Sequence, residues 1–275
     1  MSALTSAVLP MAAGDGNLSV LLDGSSWDPS SPDGFPQRIL EHLGYSAIAL
    51  VIALVVAFPI GLLIGHTNRG AFLAINLGNA GRALPTLGVL MLVLSLVGVG
   101  LLPVIVALVV LAIPPILTTT YAGVRAVSGA TVDAARGVGM TEWQIVGRVE
   151  IPNALPIIFG GIRNAALQVI STATLAAYVG RGGLGRYLFD GLATRNFPLV
   201  VGGAIVLAAL AVVVDQLLGL AQRATVSPGV DGRALSGRRV VADDAAGALG
   251  VVAGADAAEK ASPRAPVEEE ARPTA

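Results

Sequence analysis

Polar positions are bunched along this chain, and long apolar stretches separate the bunches. From Gly44 to Gly65 no residue carries a formal charge. A stretch of about 20 apolar residues is enough for a helix to cross the hydrocarbon core of a bilayer. A second such stretch, from about Phe72 to Leu96, contains Asn76, Asn79, Arg82 and Pro85. After a short Gly-rich turn, a third runs from about Leu102 to Ala122, interrupted by Pro114-Pro115 and closing on Thr118-Thr119-Thr120-Tyr121. A fourth, about Leu155 to Val179, carries Arg163, Asn164 and Gln168 near its start and Ser171, Thr172 and Thr174 in its middle. The fifth, about Leu199 to Leu220, holds Asp215 near its end. The pattern predicts an all-α membrane protein with about five transmembrane helices. A polar arm, residues 1–43, precedes a membrane domain, 44–222, and a polar tail predicted to be disordered, 223–275, follows it. The longest polar interval inside the membrane domain is 123–153.

Two features inside the spans are unusual for hydrocarbon. Arg82 either faces a partner or a water-filled cavity, or reaches back to the interface. Pro85 breaks the backbone ladder, which is tolerated where the freed carbonyl finds a partner. Gly61 and Gly65 have the spacing that lets another helix approach closely.

Composition sharpens the class. Of 275 residues, 54% are hydrophobic and 13% charged, where soluble domains carry about a quarter charged residues. Residues 44–220 hold only 14 of the 35 formal charges. That excludes an ordinary soluble enzyme and a disordered chain. A net charge of −1 without a basic patch excludes a nucleic-acid binder. The absence of cysteine removes thiolate chemistry and Cys-based metal sites. His42 and His66 lie at opposite ends of the first span and cannot share a metal. Five spans place the two ends of the chain on opposite faces. Arg69, Arg125, Arg136, Arg148 and the tail arginines share one face, which the arginine excess marks as cytoplasmic. The arm is then outside, although Arg181, Arg186 and Arg195 fall on its side too.

The interval 131–152 reads as two short helices joined by a glycine turn. Asp133 is expected in the first turn of the first helix, meeting its positive end. Gly139 is placed to end that helix in a left-handed conformation. Thr141 and Gln144 have the spacing of a capping box for the second. Trp143, Val146 and Val149 or Glu150 then share one face. Ile151, preceding Pro152, is expected to stop the helix. Such a hairpin either packs on its own bundle or docks another protein.

These residues carry a resemblance. Asp133-Ala134-Ala135, three residues, Gly139, nine residues and Val149-Glu150-Ile151-Pro152 match the spacing of the "EAA" loop of permease subunits of ATP-binding cassette importers. That pattern is Glu-Ala-Ala, three residues, Gly, nine residues, Ile-x-Leu-Pro, so the departures are Asp for Glu, Val for Ile and Ile for Leu. Arg125–Gly139, Ile151–Ala173, Val179–Gly185, Asp190–Thr194 and Ala211–Asp215 resemble the osmoprotectant branch, which imports glycine betaine, carnitine, choline and proline. One stretch departs: many members have Gln-Thr before Ile-Pro-Ser in the second span, where this chain has Arg82-Ala83-Leu84-Pro85-Thr86.

The resemblance implies the type I importer permease (MetI-like) architecture. It implies a loop that couples to an ATPase through Asp133, Ala134, Ala135, Gly139, Thr141, Trp143, Val146, Ile151 and Pro152. It also implies partners: a cytoplasmic ATPase subunit, an extracytoplasmic substrate-binding protein and a second permease subunit, identical or related. ATP and Mg belong to the ATPase, and this chain is expected to bind no cofactor or metal and to catalyse nothing. The polar groups Asn79, Arg82, Thr86 and Gln168, with Pro85 and with Ser171, Thr172 and Thr174, are candidates for the translocation pathway. The alternatives are a permease for another small solute, such as an amino acid, or an ion-coupled secondary transporter. Gly180-Arg181-Gly182-Gly183-Leu184-Gly185 matches a dinucleotide fingerprint literally, but apolar spans bracket it and no acid stands about 20 positions on. It is expected to be a flexible turn. With Lys260 the only lysine, the chain has no P-loop.

Overall fold

The computed structural model describes residues 18–226, apart from the side chains of Leu73, Ala80 and Arg82. Residues 227–275 of the tail and 1–17 of the arm, on which the sequence pattern also makes predictions, lie outside the described residues, while 223–225, predicted as the start of a disordered tail, are the last turn of a helix that ends at Thr225. The arm contributes a short helix, α1 (Ser19–Leu22), and a 3-10 turn (Gly24–Trp27). The membrane domain begins with α2 (Phe35–Thr67), nine residues earlier than the apolar pattern predicts. Pro36 supplies the fixed φ suited to a first helical turn, and Phe35 is fully buried, so packing draws the helix outward past the uncharged stretch. Phe35 stacks on Tyr187 at 4.4 Å between centroids and meets Trp27 at 4.9 Å. The described part of the arm therefore packs onto the bundle.

The second predicted span is two helices, α3 (Ala71–Ala83) and α4 (Thr86–Val97), separated at Leu84-Pro85. Pro85 is extended (φ −71°, ψ 116°) and its carbonyl accepts from Val89, so it starts α4 instead of interrupting a continuous helix. In contrast, α5 (Leu101–Arg125) runs unbroken through Pro114 and Pro115. It is the central helix, packed by α2, α3, α4 and α8. Hydrocarbon offers an irregular loop no partner for its backbone groups, so the helix persists there despite two prolines.

The remaining elements are α6 (Gly129–Gly137), α7 (Glu142–Ile145), a π-helical turn (Val146–Glu150), α8 (Ile151–Thr172) continued by a 3-10 segment (Ala173–Val179), α9 (Gly185–Ala193) and α10 (Phe197–Thr225). Among the described residues, four stretches are long and apolar enough to cross a membrane: α2, α5, the segment containing α8, and α10. Broken α3–α4 supplies the fifth apolar segment.

Close helix approach rests on small residues. Ala49, Ala53, Ala57, Gly61 and Gly65 form a buried seam along α2 at every fourth position. A Cβ on Gly61 would stand 2.8 Å from Thr120 Cβ, and one on Gly65 would stand 2.7 Å from Val124 Cβ, both on α5. The spacing that suggests a helix contact in the sequence is thus a seam between α2 and α5. At the end of the bundle that carries the arm, Glu41 Oε2 accepts from Arg38 and from the Gly183 N–H at 2.8 Å. This holds the Gly180–Gly185 segment against α2, where the sequence suggests a flexible turn.

Candidate functional site

The 131–152 interval forms the expected hairpin, and its turn is specified by hydrogen bonds. Gly139 sits at φ +85°. Its N–H donates to Arg136 O at 2.9 Å and the Met140 N–H donates to Ala135 O at 3.1 Å. This is the Schellman pattern, which satisfies two carbonyls at the end of α6. Thr141 caps α7 in a capping box with Gln144: the Thr141 N–H donates to Gln144 Oε1 at 2.9 Å.

Two expectations are corrected here. Asp133 is the fifth residue of α6, beyond the first turn, and no acid occupies that turn. α6 begins at Gly129 behind Ser128, which is non-helical (φ −58°, ψ 127°) and whose carbonyl accepts from the Thr131 and Val132 N–H groups, so the helix starts four residues before Asp133. Asp133 instead faces Arg136 at 3.3 Å, an exposed pair. Arg136 also holds Glu142 at 3.0 and 3.1 Å, and this bond raises the guanidinium above its ordinary value. The second correction concerns Ile151-Pro152, which does not stop the helix. Ile151 is helical (φ −56°, ψ −53°), and its N–H donates to Val146 O, five residues back. The π turn widens the backbone ahead of Pro152, which then stands in the first turn of α8, where a missing N–H costs nothing.

The two faces of the hairpin differ. Ile145 is fully buried and Ala135 nearly so, while Trp143 is 86% exposed. Trp143 and Val146 border an apolar groove of about 500 Å³ completed by Pro59, Leu62, Leu63, His66 and Glu142. Ala134 and Thr141 are both exposed.

A second feature is a cavity of about 390 Å³ among α3, α5 and α8. Asn79 and Gln168 line it with Asn164, Thr118, Thr119 and Tyr121. Asn164 and Gln168 are one helical turn apart, a spacing legible in the sequence, and Thr118 and Thr119 of α5 complete the polar lining. Both hydroxyls are already engaged with backbone, Thr118 Oγ1 donating to Pro114 O at 2.8 Å and Thr119 Oγ1 to Pro115 O at 2.7 Å. Gly81 allows α3 to lie on Pro114, where a Cβ would fall 2.4 Å from the proline Cγ. Pro85, Thr86, Ser171, Thr172 and Thr174 are not in this lining. Pro85 and Thr86 form the α3–α4 break, and Thr174 Oγ1 donates to Ser171 O at 2.9 Å at the end of α8. The Arg82 side chain lies outside the described residues.

Comparison with known proteins fits this arrangement. Residues 57–226 match the family model described as binding-protein-dependent transport system inner membrane component. The glycine betaine/carnitine/choline transport system permease protein OpuCB of Bacillus subtilis (strain 168) is 39% identical over 192 residues, 70% of this chain and 88% of that protein. The carnitine transport permease protein OpuCB of Listeria monocytogenes is 41% identical over 179 residues, 65% of this chain and 82% of that protein. Among solved structures, an inward-facing form of the MetNI methionine ABC transporter aligns with a TM-score of 0.62 at 24% identity, covering 70% of this chain and 96% of that one. At that identity the likeness concerns the fold. The central α5, the broken second span and the hairpin between α5 and α8 are thus those of a transport permease, and the chain belongs to the family of binding-protein-dependent transport system inner membrane components.

Proposed function

We propose that this chain is the permease subunit of an ATP-driven importer in the plasma membrane, and that its solute is an osmoprotectant such as glycine betaine, choline, carnitine or proline. The observation that carries the importer reading is the 131–152 hairpin, which has the complete spacing of the coupling loop and leaves Trp143 exposed beside an apolar groove. An ATPase subunit docks on that face, with ATP and Mg held by the ATPase. Its cycle shifts the permease between states open to either side. A second permease subunit completes the pathway, and a separate binding protein delivers solute. The arginine distribution supports the hairpin end as cytoplasmic and the arm as external.

The solute class rests on the named solutes of the relatives and on the cavity. Among the described residues its polar lining is amide and hydroxyl, suited to a neutral or zwitterionic solute and not to a polyanion. A quaternary ammonium is best recognised by several aromatic faces, and Tyr121 is the single aromatic in the lining. This supports recognition chiefly in the binding protein. An ion-coupled mechanism is disfavoured because Asp215, the acid within α10, is neutralised by Arg163. The test is uptake of labelled betaine, choline, carnitine and proline by cells carrying the permease with its neighbouring transport genes. ATP-dependent uptake of one of them is the expected result. Transport of an amino acid other than proline, with none of these four, would replace the osmoprotectant assignment, and uptake by the chain alone in liposomes would overturn the importer reading.

A further inference from the structure

The last turn of α2 meets the hairpin through one histidine. His66 Nδ1 lies 2.9 Å from both carboxylate oxygens of Glu150, and its Nε2 lies 3.2 Å from Glu142 Oε2. In the imidazolium form both nitrogens donate, one to each acid. Glu150 is 4% exposed, on the π turn, and Glu142 opens α7. Glu142 is held in turn by Arg136, and Arg136 by Asp133, so the chain of polar contacts runs from α2 through α7 and the π turn to α6.

Apolar packing does little of this work. Across α6, α7 and the π turn the buried residues are Ala135, Ile145 and Glu150. A hairpin held by two apolar side chains would swing on its connections at Ala126–Ser128 and Ile151. The π turn is a local widening of a kind found frequently at functional sites. A buried carboxylate needs a partner, and the partner here comes from a helix 84 residues away in sequence.

We propose that His66 and Glu150, with Glu142, form a clasp that makes the end of α2 and the coupling hairpin one moving body. Force applied by the ATPase to the hairpin then reaches α2 and, through the Gly61–Gly65 seam, α5. His66 and Glu150 are positioning residues. The proposal rests on the importer reading and assigns the route of transmission within it.

The test uses the complete transporter in liposomes, with ATPase and binding protein. His66→Ala and Glu150→Gln should leave abundance, co-purification of the ATPase and basal ATP hydrolysis near wild type. Solute-stimulated hydrolysis and uptake should fall about tenfold, an ordinary size for coupling between sites. Rescue separates linkage from mere folding. The chain has no cysteine, so His66→Cys with Glu150→Cys supplies a unique pair for a short bis-thiosulfonate linker. Reduced, this variant should be as weakly coupled as His66→Ala. Linked, it should recover to within about twofold of wild type, judged against wild type given the same reagent, because a rigid bridge replaces the clasp. Full stimulation in His66→Ala, loss of abundance or ATPase co-purification in both single variants, or arrest of transport on linking would overturn the clasp. Absence of ATP-driven uptake by the wild-type complex would instead remove the importer reading beneath it.

Discussion

Arg163 on α8 and Asp215 on α10 meet in a bidentate ion pair, with Arg163 Nη2 2.7 Å from Asp215 Oδ2 and Nε 3.0 Å from Oδ1. Gln222 extends the link, its Nε2 donating to Pro156 O at 3.3 Å. The pair explains how two charges are tolerated within apolar helices: each is the other's partner. It also compensates for thin packing, since the buried residues of α10, Gly202, Gly203 and Val206, all lie toward its first half. Removing one partner strands the other charge. Arg163→Leu or Asp215→Leu should therefore each destabilise the solubilised protein by about 1–3 kcal/mol. The double variant should cost clearly less than the sum, because a pair of apolar residues leaves nothing unpaired. Thermal midpoints of the four proteins by fluorescence-detected gel filtration complete the cycle. Additive losses would show that the two charges do not stabilise each other.

The α5–α8 contact is equally specific. A Cβ on Gly161 would fall 1.7 Å from Thr119 Oγ1 and 2.5 Å from its Cβ. Ala is favoured over Gly inside a helix by about 1 kcal/mol. The steric term opposes this and is larger, since overpacking typically costs about 1–3 kcal/mol and here strikes an atom next to backbone. Gly161→Ala should lower the thermal midpoint. Gly160→Ala is the control: a Cβ there meets nothing within 4 Å, so it should be neutral or stabilising. The reverse order would mean that α5 and α8 are not packed this closely in the membrane.

What the sequence made legible follows from what is local. The Schellman turn at Gly139 and the capping box at Thr141 depend on a few neighbouring residues, so spacing alone predicts them. The Gly61–Gly65 contact is local in pattern, though the partner helix is not. The misreadings are tertiary. Phe35 is helical because Tyr187 and Trp27 cover it, and α5 survives two prolines because it is surrounded. Ile151 continues a helix because the preceding turn is widened, a register change that a residue-by-residue proline rule does not contain. In the cavity, Asn79 and Gln168 converge across 89 positions, while Ser171, Thr172 and Thr174, equally polar and near Gln168 in sequence, lie past the turn that faces it.

The cavity yields a prediction separable from coupling. Gln168→Leu keeps a side chain of similar length but removes amide donors and an acceptor from the lining. Uptake should fall about tenfold through loss of one or two hydrogen bonds to the solute, each contributing roughly 0.5–1.5 kcal/mol. ATPase co-purification should be unchanged, because Gln168 lies on α8 away from the hairpin. Thr174→Val, outside the lining, should leave uptake near normal. Equal loss in both variants would mean that the solute does not pass along this cavity.

Gly139 offers the sharpest test of the hairpin itself. A Cβ there meets nothing within 4 Å, so any substitution acts through the backbone alone. At φ +85° a β-branched side chain is strained, by about 1–2 kcal/mol on the scale of the left-handed penalty. Asn enters the left-handed region several times more readily than most residues. Gly139→Val should therefore unseat α7 and displace Trp143, while Gly139→Asn should largely preserve both. The permease should remain abundant in membranes in either case, since the helices that span are untouched. Co-purification of the ATPase and solute-stimulated hydrolysis should drop for Val and persist for Asn. Asp133→Ala, which removes only an exposed contact to Arg136, should leave the hairpin fold intact, because such pairs contribute about 1 kcal/mol at most. A large coupling defect in Asp133→Ala would then report direct contact of that carboxylate with the ATPase. If Val and Asn at position 139 behave alike, the geometry of this turn does not set how the hairpin engages its partner.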